Sequence, residues 1–154
     1  MAHEYRATIA WRLGDEDFTK GRYSRGHEWR LDGLTLPASA SPGNVPKPFA
    51  RIDAIDPEEA FVAALSSCHM LTFLDLARRA GFIVESYEDD ALGELEEFAP
   101  QRRAVTKVVL RPRIVYRGAA PDPATLADLH HRSHETCFIA NSVTTRVTVE
   151  EPTA

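Results

Sequence analysis

An antiparallel α+β fold is what this sequence predicts, and three observations predict it. Segments with apolar residues at every second position flank two helix starts of the same kind, Asp56-Pro57 and Asp122-Pro123. The strand-like segments come in runs, giving the order βββ-α-ββ-α-β. Regular βαβ alternation, which builds parallel sheets, is missing from that order.

Within the first 36 residues, Tyr5, Ala7, Ile9 and Trp11 alternate with outward residues. "RYSRGHEWRLDGLTL" then reads as two extended arms with a glycine at each turn. From Pro37 to Asp56, "PASASPGNVPKPFARIDAID" is rich in Pro, Ser and Gly and is read as a loop. A compact domain rarely keeps so long a loop unless it has a task, so 37–56 is expected to border an active site. Asp56 is the candidate N-cap of the first helix, with Pro57 at the first helical position and Glu59 three residues after the cap.

That helix is expected to run to Ala80, where Gly81 supplies the stop. Between Ala60 and Leu74 no residue is formally charged, and apolar side chains point all around the axis. Such a helix is buried on all sides. At about 36 Å it is long for a chain this small to enclose, which suggests a second chain covering part of it. Ile83–Phe98 and "AVTKVVLRPRIVY" follow as strands, the latter interrupted by Pro112 in the manner of an edge or bulge. A second helix runs through "ATLADLHHRSHETC", and "SVTTRVTVE" is the closing strand.

Composition sets the outer bounds. The 154 residues suit one domain, 1–154, and 44% hydrophobic with 27% charged residues describe an ordinary globular chain. The 18 basic and 23 acidic residues give a net charge of −5 and are interspersed, so nothing marks a nucleic-acid or anionic-membrane surface. "MAHEYRATIAW" lacks the features of a secretory signal, and no run of about 18 consecutive apolar residues is present. A cytoplasmic location is the expectation, where two cysteines are more often reduced, reactive or metal-binding than bridged.

Those cysteines carry the chemistry. Cys68 sits inside the apolar helix; Cys137 closes a stripe with Leu126, Leu129 and Ser133 that faces the core. Burial alone would raise a thiol's pKa and silence it, so a reactive Cys68 needs a positive group nearby. Arg22, Arg25 and Arg51 are the candidates, and Glu58 or Glu59 is the carboxylate to hold one of them. Glu58 precedes Cys68 by ten residues, about 15 Å along a straight helix, so a shared site would take Glu58 from a partner subunit. A competing set is His130, His134 and Cys137 at i, i+4 and i+7, completed by Cys68 or His69 as tetrahedral zinc ligands. His130 and His131 are otherwise read as exposed polar residues near a helix end. No glycine-rich phosphate loop and no G-x-S-x-G motif is present. A Cys68–His69 hydrolase is awkward, because adjacent helical side chains diverge by about 100°.

"DPEEAFVAALSSCHM" resembles the central-helix motif of the OsmC/Ohr family of thiol-dependent hydroperoxide reductases, and "HETCFIANSV" resembles its second cysteine motif. The resemblance implies an OsmC-like fold, a sheet wrapped around two central helices in an intertwined homodimer with two interfacial active sites. It implies that Cys68 attacks an organic hydroperoxide and becomes a sulfenic acid. Cys137 would resolve that acid as a disulfide, and a dithiol reductant of lipoyl or thioredoxin-like type would restore both thiols. No cofactor or metal is implied. Glu58 corresponds to the family's glutamate, and Arg25 in "YSRGH" is favoured as the arginine it orients. Two positions depart from the pattern: Phe138 replaces the proline after the second cysteine, and His69 follows the first. His69, Phe49, Met70 and Phe138 are the expected substrate-binding residues. The alternative function is a non-catalytic metal- or small-molecule-binding protein using Cys68, His69, His134 and Cys137.

Overall fold

The computed structural model describes residues 2–150, which divide into two compact units between Ala60 and Phe61.

In the first unit, β1 (Thr8–Ala10), β2 (His27–Leu31) and β3 (Leu34–Ala38) form one antiparallel sheet in the order β1-β2-β3. Asp32 and Gly33 join β2 to β3 with φ values of 30° and 84°. Positive φ at both central residues is what a two-residue hairpin turn needs to match strand twist. The alternation from Tyr5 to Trp11 is longer than the ladder it yields, because β2 offers β1 only Glu28, Trp29 and Arg30 as partners. Residues 21–26, read as part of an extended arm, hold no strand: Arg22 makes an isolated antiparallel bridge with Asp17, and 24–26 are irregular. The long loop is tied down at its ends: Ser39 N donates to Ile55 O (2.9 Å), Ile55 N to Pro37 O (3.1 Å) and Arg51 N to the buried Ser39 Oγ (3.0 Å).

Helix α1 (Pro57–Arg79) begins in the first unit and runs through the second. Asp56 caps it by accepting from Glu59 N at 2.8 Å. Its end is a Schellman turn: Gly81 has φ +88°, Phe82 N donates to Ala77 O (3.0 Å) and Gly81 N to Arg78 O (3.1 Å). By length and composition α1 is apolar enough to span a membrane, a measure that the core helix of a soluble protein also meets.

The expected two strands between the helices are four: β4 (Val84–Asp89), β5 (Leu92–Ala99), β6 (Arg102–Leu110) and β7 (Pro112–Tyr116). Asp89 explains both breaks. Its carboxylate accepts from Arg111 N (2.6 Å) and from Ser66 Oγ, so the chain corners at 90–91 and again at 111. β4 then pairs with β7, and β5 with β6, in separate sheets. Helix α2 (Pro123–Thr136) starts at Asp122, which accepts from Thr125 N at 2.9 Å. A 3-10 turn at Ala140–Ser142 leads to β8 (Arg146–Val149). β8 lies parallel to β6, a departure from an all-antiparallel arrangement that the intervening crossover through β7 and α2 permits.

The fold class is α+β as expected. The second unit holds two buried clusters, Leu65 with Val108 and Leu110, and Phe73 with Ala77 and Leu129. At Gly93 a Cβ would lie 2.5 Å from Val62 Cγ2, so β5 approaches α1 closely because Gly93 has no side chain.

Candidate active site

On α1 the buried residues Leu65, His69, Phe73 and Ala77 recur every fourth position and form one stripe. Cys68 stands at the stripe's margin and is half-buried. The opposite face, with Ala63, Ala64, Ser67 and Leu71, is exposed in the single chain, so the helix is not enclosed on all sides by its own fold.

Cys137 is the residue at which α2 ends, and it is buried. Its stripe partners Leu129 and Ser133 are buried with it, as the helical spacing predicts. The Cys137 and Cys68 thiols lie close enough to interact, and Cys137 Sγ accepts from Ala140 N at 3.4 Å. Two sulfurs 69 positions apart in sequence are therefore neighbours. Burial pushes the Cys137 thiol above its ordinary pKa, and the neighbouring Cys68 adds to that. Cys137 is held as a protonated thiol, while Cys68 is the more accessible sulfur.

His69 does not turn toward the cysteine beside it. It lies in the core, 1% exposed, with Nε2 3.0 Å from His130 Nδ1 and the two rings stacked at 5.3 Å. His130 is also buried, correcting its reading as an exposed residue, and it stacks on Phe73 at 4.6 Å. Burial, before all else, lowers both imidazoles from 6.5 to about 4; for His69 the neighbouring His130 and His134 add to this, and for His130 the Asp89 carboxylate opposes it. A hydrogen bond between two neutral imidazoles carries one proton on the shared nitrogens, and His130 Nε2 is buried with no partner among the described residues. His130 was legible in outline: it follows Leu129 and precedes Ser133 by three, on the edge of the inward stripe. His131 is exposed and His134 is outside this bond. Among the described residues, no three His, Cys, Asp or Glu side chains converge as metal ligands, so the His130/His134/Cys137 set is not assembled.

The first unit holds the arginines. Arg51 is spoken for, with Nε and Nη2 bonded to the Asp53 carboxylate at 2.9 and 2.8 Å. Arg22 is exposed. Arg25 has no carboxylate partner among the described residues. Its Nη1 donates to Gly21 O (3.1 Å) and to Tyr23 O, and its guanidinium lies 3.7 Å over the Tyr23 ring and 6.0 Å from Phe49. Arg25 N donates to Phe49 O at 2.7 Å. His27 fixes the carbonyl of the same residue. Trp29 Nε1–H donates to His27 Nε2 (3.0 Å), so the proton of a neutral His27 is on Nδ1 and is donated to Arg25 O (2.8 Å).

Glu58 accepts from Asn44 Nδ2 at 3.4 Å, and within the described residues it makes no ion pair with Arg25. Met70 is partly buried on α1. Phe138 is 80% exposed and lines a separate hollow with Leu71, Thr72, Leu76 and Thr136. The sequence pointed to the two cysteines, which the structure places side by side, and to Arg25 held by Glu58, a pairing that the described residues do not make. It missed His130 as a core residue, His27 as a positioning group, and the aromatic surroundings of Arg25.

The model of the family described as OsmC-like protein matches residues 51–151. Among solved structures, an OsmC-like protein of unknown function from Vibrio cholerae is 48% identical, with a TM-score of 0.94 over 98% of this chain and 100% of that one. The organic hydroperoxide resistance protein OsmC of Legionella pneumophila has the same fold at 17% identity (TM-score 0.69, covering 98% and 96%). An organic hydroperoxide resistance protein of Elizabethkingia anophelis, bound to thiocyanate, has it at 16% identity (TM-score 0.71, covering 99% of each chain). No functionally curated protein matches. With more than half of its residues matched by the family model and a near-full-length relative at 48% identity, the chain belongs to the OsmC-like protein family.

Proposed function

We propose that this protein is a thiol-dependent peroxidase that reduces organic hydroperoxides. The observation that carries the reading is the proximity of Cys68 and Cys137, brought together from the middle of α1 and the end of α2. The Cys68 thiolate attacks the distal oxygen of ROOH; the O–O bond breaks, Cys68 becomes Cys–SOH, and RO⁻ takes a proton to leave as alcohol. Cys137–SH then attacks the sulfenic sulfur, forming the Cys68–Cys137 disulfide and releasing the hydroxyl as water. A dithiol reductant of lipoyl or thioredoxin-like type returns both thiols and is itself oxidised to a disulfide.

Arg25 is the cation this reading assigns to the thiolate and to the developing alkoxide, since it is the candidate arginine that is both partly buried and unpaired with a carboxylate. Glu58 is its assigned orienting carboxylate, contributed by a second chain. The exposed face of Ala63, Ala64, Ser67 and Leu71 supports a homodimer packed along α1. A cytoplasmic setting, which keeps the pair reduced between turnovers, belongs to the same proposal.

Mass spectrometry after one equivalent of cumene hydroperoxide tests it. The expected product is the protein minus two hydrogens with a Cys68–Cys137 linkage. Cys68→Ser should consume no peroxide, and Cys137→Ser should consume one equivalent and stop at the sulfenic acid. Equal peroxide turnover by wild type and Cys68→Ser would end the proposal.

A further inference from the structure

The loop carrying Arg25 builds more than a held charge. Trp11, Phe18 and Tyr23 meet there as three mutually inclined rings, with centroids 6.0, 5.5 and 4.7 Å apart pairwise and interplanar angles of 48°, 69° and 30°. They border an open hollow of about 530 Å³ that is also lined by Ile9, His27 and Ser39 among others. That volume is in the range of small-molecule sites, which are mostly apolar with a few fixed polar groups. Trp11 is 39% and Phe18 51% exposed, so large apolar surface is left facing the solvent here.

The polar end of the cavity is defined by what is already used. Trp11 Nε1 donates to Ser24 O at 2.9 Å, and the Glu16 carboxylate accepts from Ser24 N at 2.7 Å. Arg25 spends Nη1 on two carbonyls, while no acceptor among the described residues takes its Nε or Nη2. Its backbone N–H and C=O are held by Phe49 O and His27 Nδ1 respectively. A guanidinium this fixed presents two free donors and a full positive charge toward an aromatic wall. Because that charge already covers the Tyr23 face, the box is unsuited to a cationic guest, unlike an aromatic cage for ammonium ligands. What fits is a neutral or anionic oxygen head joined to a ring that can stack against or edge onto its neighbours.

We propose that this cavity is a binding site for a small aromatic molecule with an oxygen-bearing head group, the ring among Trp11, Phe18 and Tyr23 and the oxygen on Arg25 Nε and Nη2. Resting on the peroxidase reading for this one step, the molecule is the substrate's organic half, so the site makes the enzyme select arylalkyl over small branched alkyl hydroperoxides.

The test separates the two claims. Binding of cumyl alcohol, which has the ring and the oxygen but no peroxide bond, is measured by ligand-observed NMR on the whole protein, with tert-butanol as the ringless control. Cumyl alcohol is expected to bind at least tenfold more tightly than tert-butanol, and Trp11→Leu and Phe18→Ala are each expected to weaken it about tenfold with unchanged circular dichroism. In turnover the same variants should lose kcat/KM for cumene hydroperoxide by about tenfold and lose most of the wild type's preference for it over tert-butyl hydroperoxide. No ring preference, or cumyl alcohol bound equally well by wild type and both variants, overturns the site even if peroxide is consumed. Ring-selective binding lost in the variants supports the site even if no peroxide is consumed, and in that case the peroxidase reading fails alone.

Discussion

Acidification from pH 7 to pH 5 should cost this protein several kcal/mol, through the His69–His130 pair. Both rings are buried and both titrate near 4 in the folded protein against 6.5 in the unfolded chain. Between those values the unfolded chain binds the protons that the folded one refuses, so stability rises with pH across the window and is lost as pH falls through it. Each histidine with that shift contributes about 2 kcal/mol to the difference between pH 7 and pH 5, and the pair about 3–4 kcal/mol. The groups around the pair are His134, whose charge would add to the effect, and Asp89, whose carboxylate opposes it. Urea unfolding at fixed protein concentration reads the loss as a midpoint lowered by about 1–2 M, for a slope of about 2 kcal/mol/M. The double variant His69→Leu/His130→Phe keeps the apolar volume and the stack on Phe73 while removing both titrations. Its midpoint should fall much less between the same two pH values. A wild-type midpoint that is flat from pH 7 to pH 5, or a double variant that falls as steeply as wild type, would refute the reasoning.

Other consequences are open to direct measurement. Gly93→Ala should lower stability by about 1–3 kcal/mol, since the new methyl meets Val62 Cγ2 at 2.5 Å; the loss should shrink when Val62→Ala is added, as a thermal-unfolding double-mutant cycle would show. Asp56→Ala removes the carboxylate that caps α1 and should cost about 1 kcal/mol in urea unfolding, most of it restored by Asp56→Ser. Phe73→Ala, at a site with no exposure and two aromatic neighbours in Tyr87 and His130, should cost about 3–5 kcal/mol by the same assay. His27→Phe should leave Trp29 Nε1 without its acceptor and free the Arg25 peptide, seen as raised hydrogen-exchange rates across residues 23–27.

Local chemistry settled much of this protein before any packing was known. The Asp-Pro starts of both helices, the glycine stop after α1 and the inward face of α2 follow from capping and from a period of 3.6, all readable within a few residues. The two cysteine motifs likewise identified the family, because each is a short string. The splitting of the middle strands, the parallel β6–β8 pair, the burial of His69 against His130 and the ring box beside Arg25 were not legible that way. Each depends on partners far along the chain: Asp89 on Arg111, His69 on His130, Trp11 on Tyr23. Their energies arise from desolvation and contact geometry, which no local window contains. Sequence alone determined which side chains could do thiol chemistry and where the helices begin. Only the tertiary structure decided which of them meet, because residues 68 and 137 become neighbours only once the α1 and α2 stripes have been buried together.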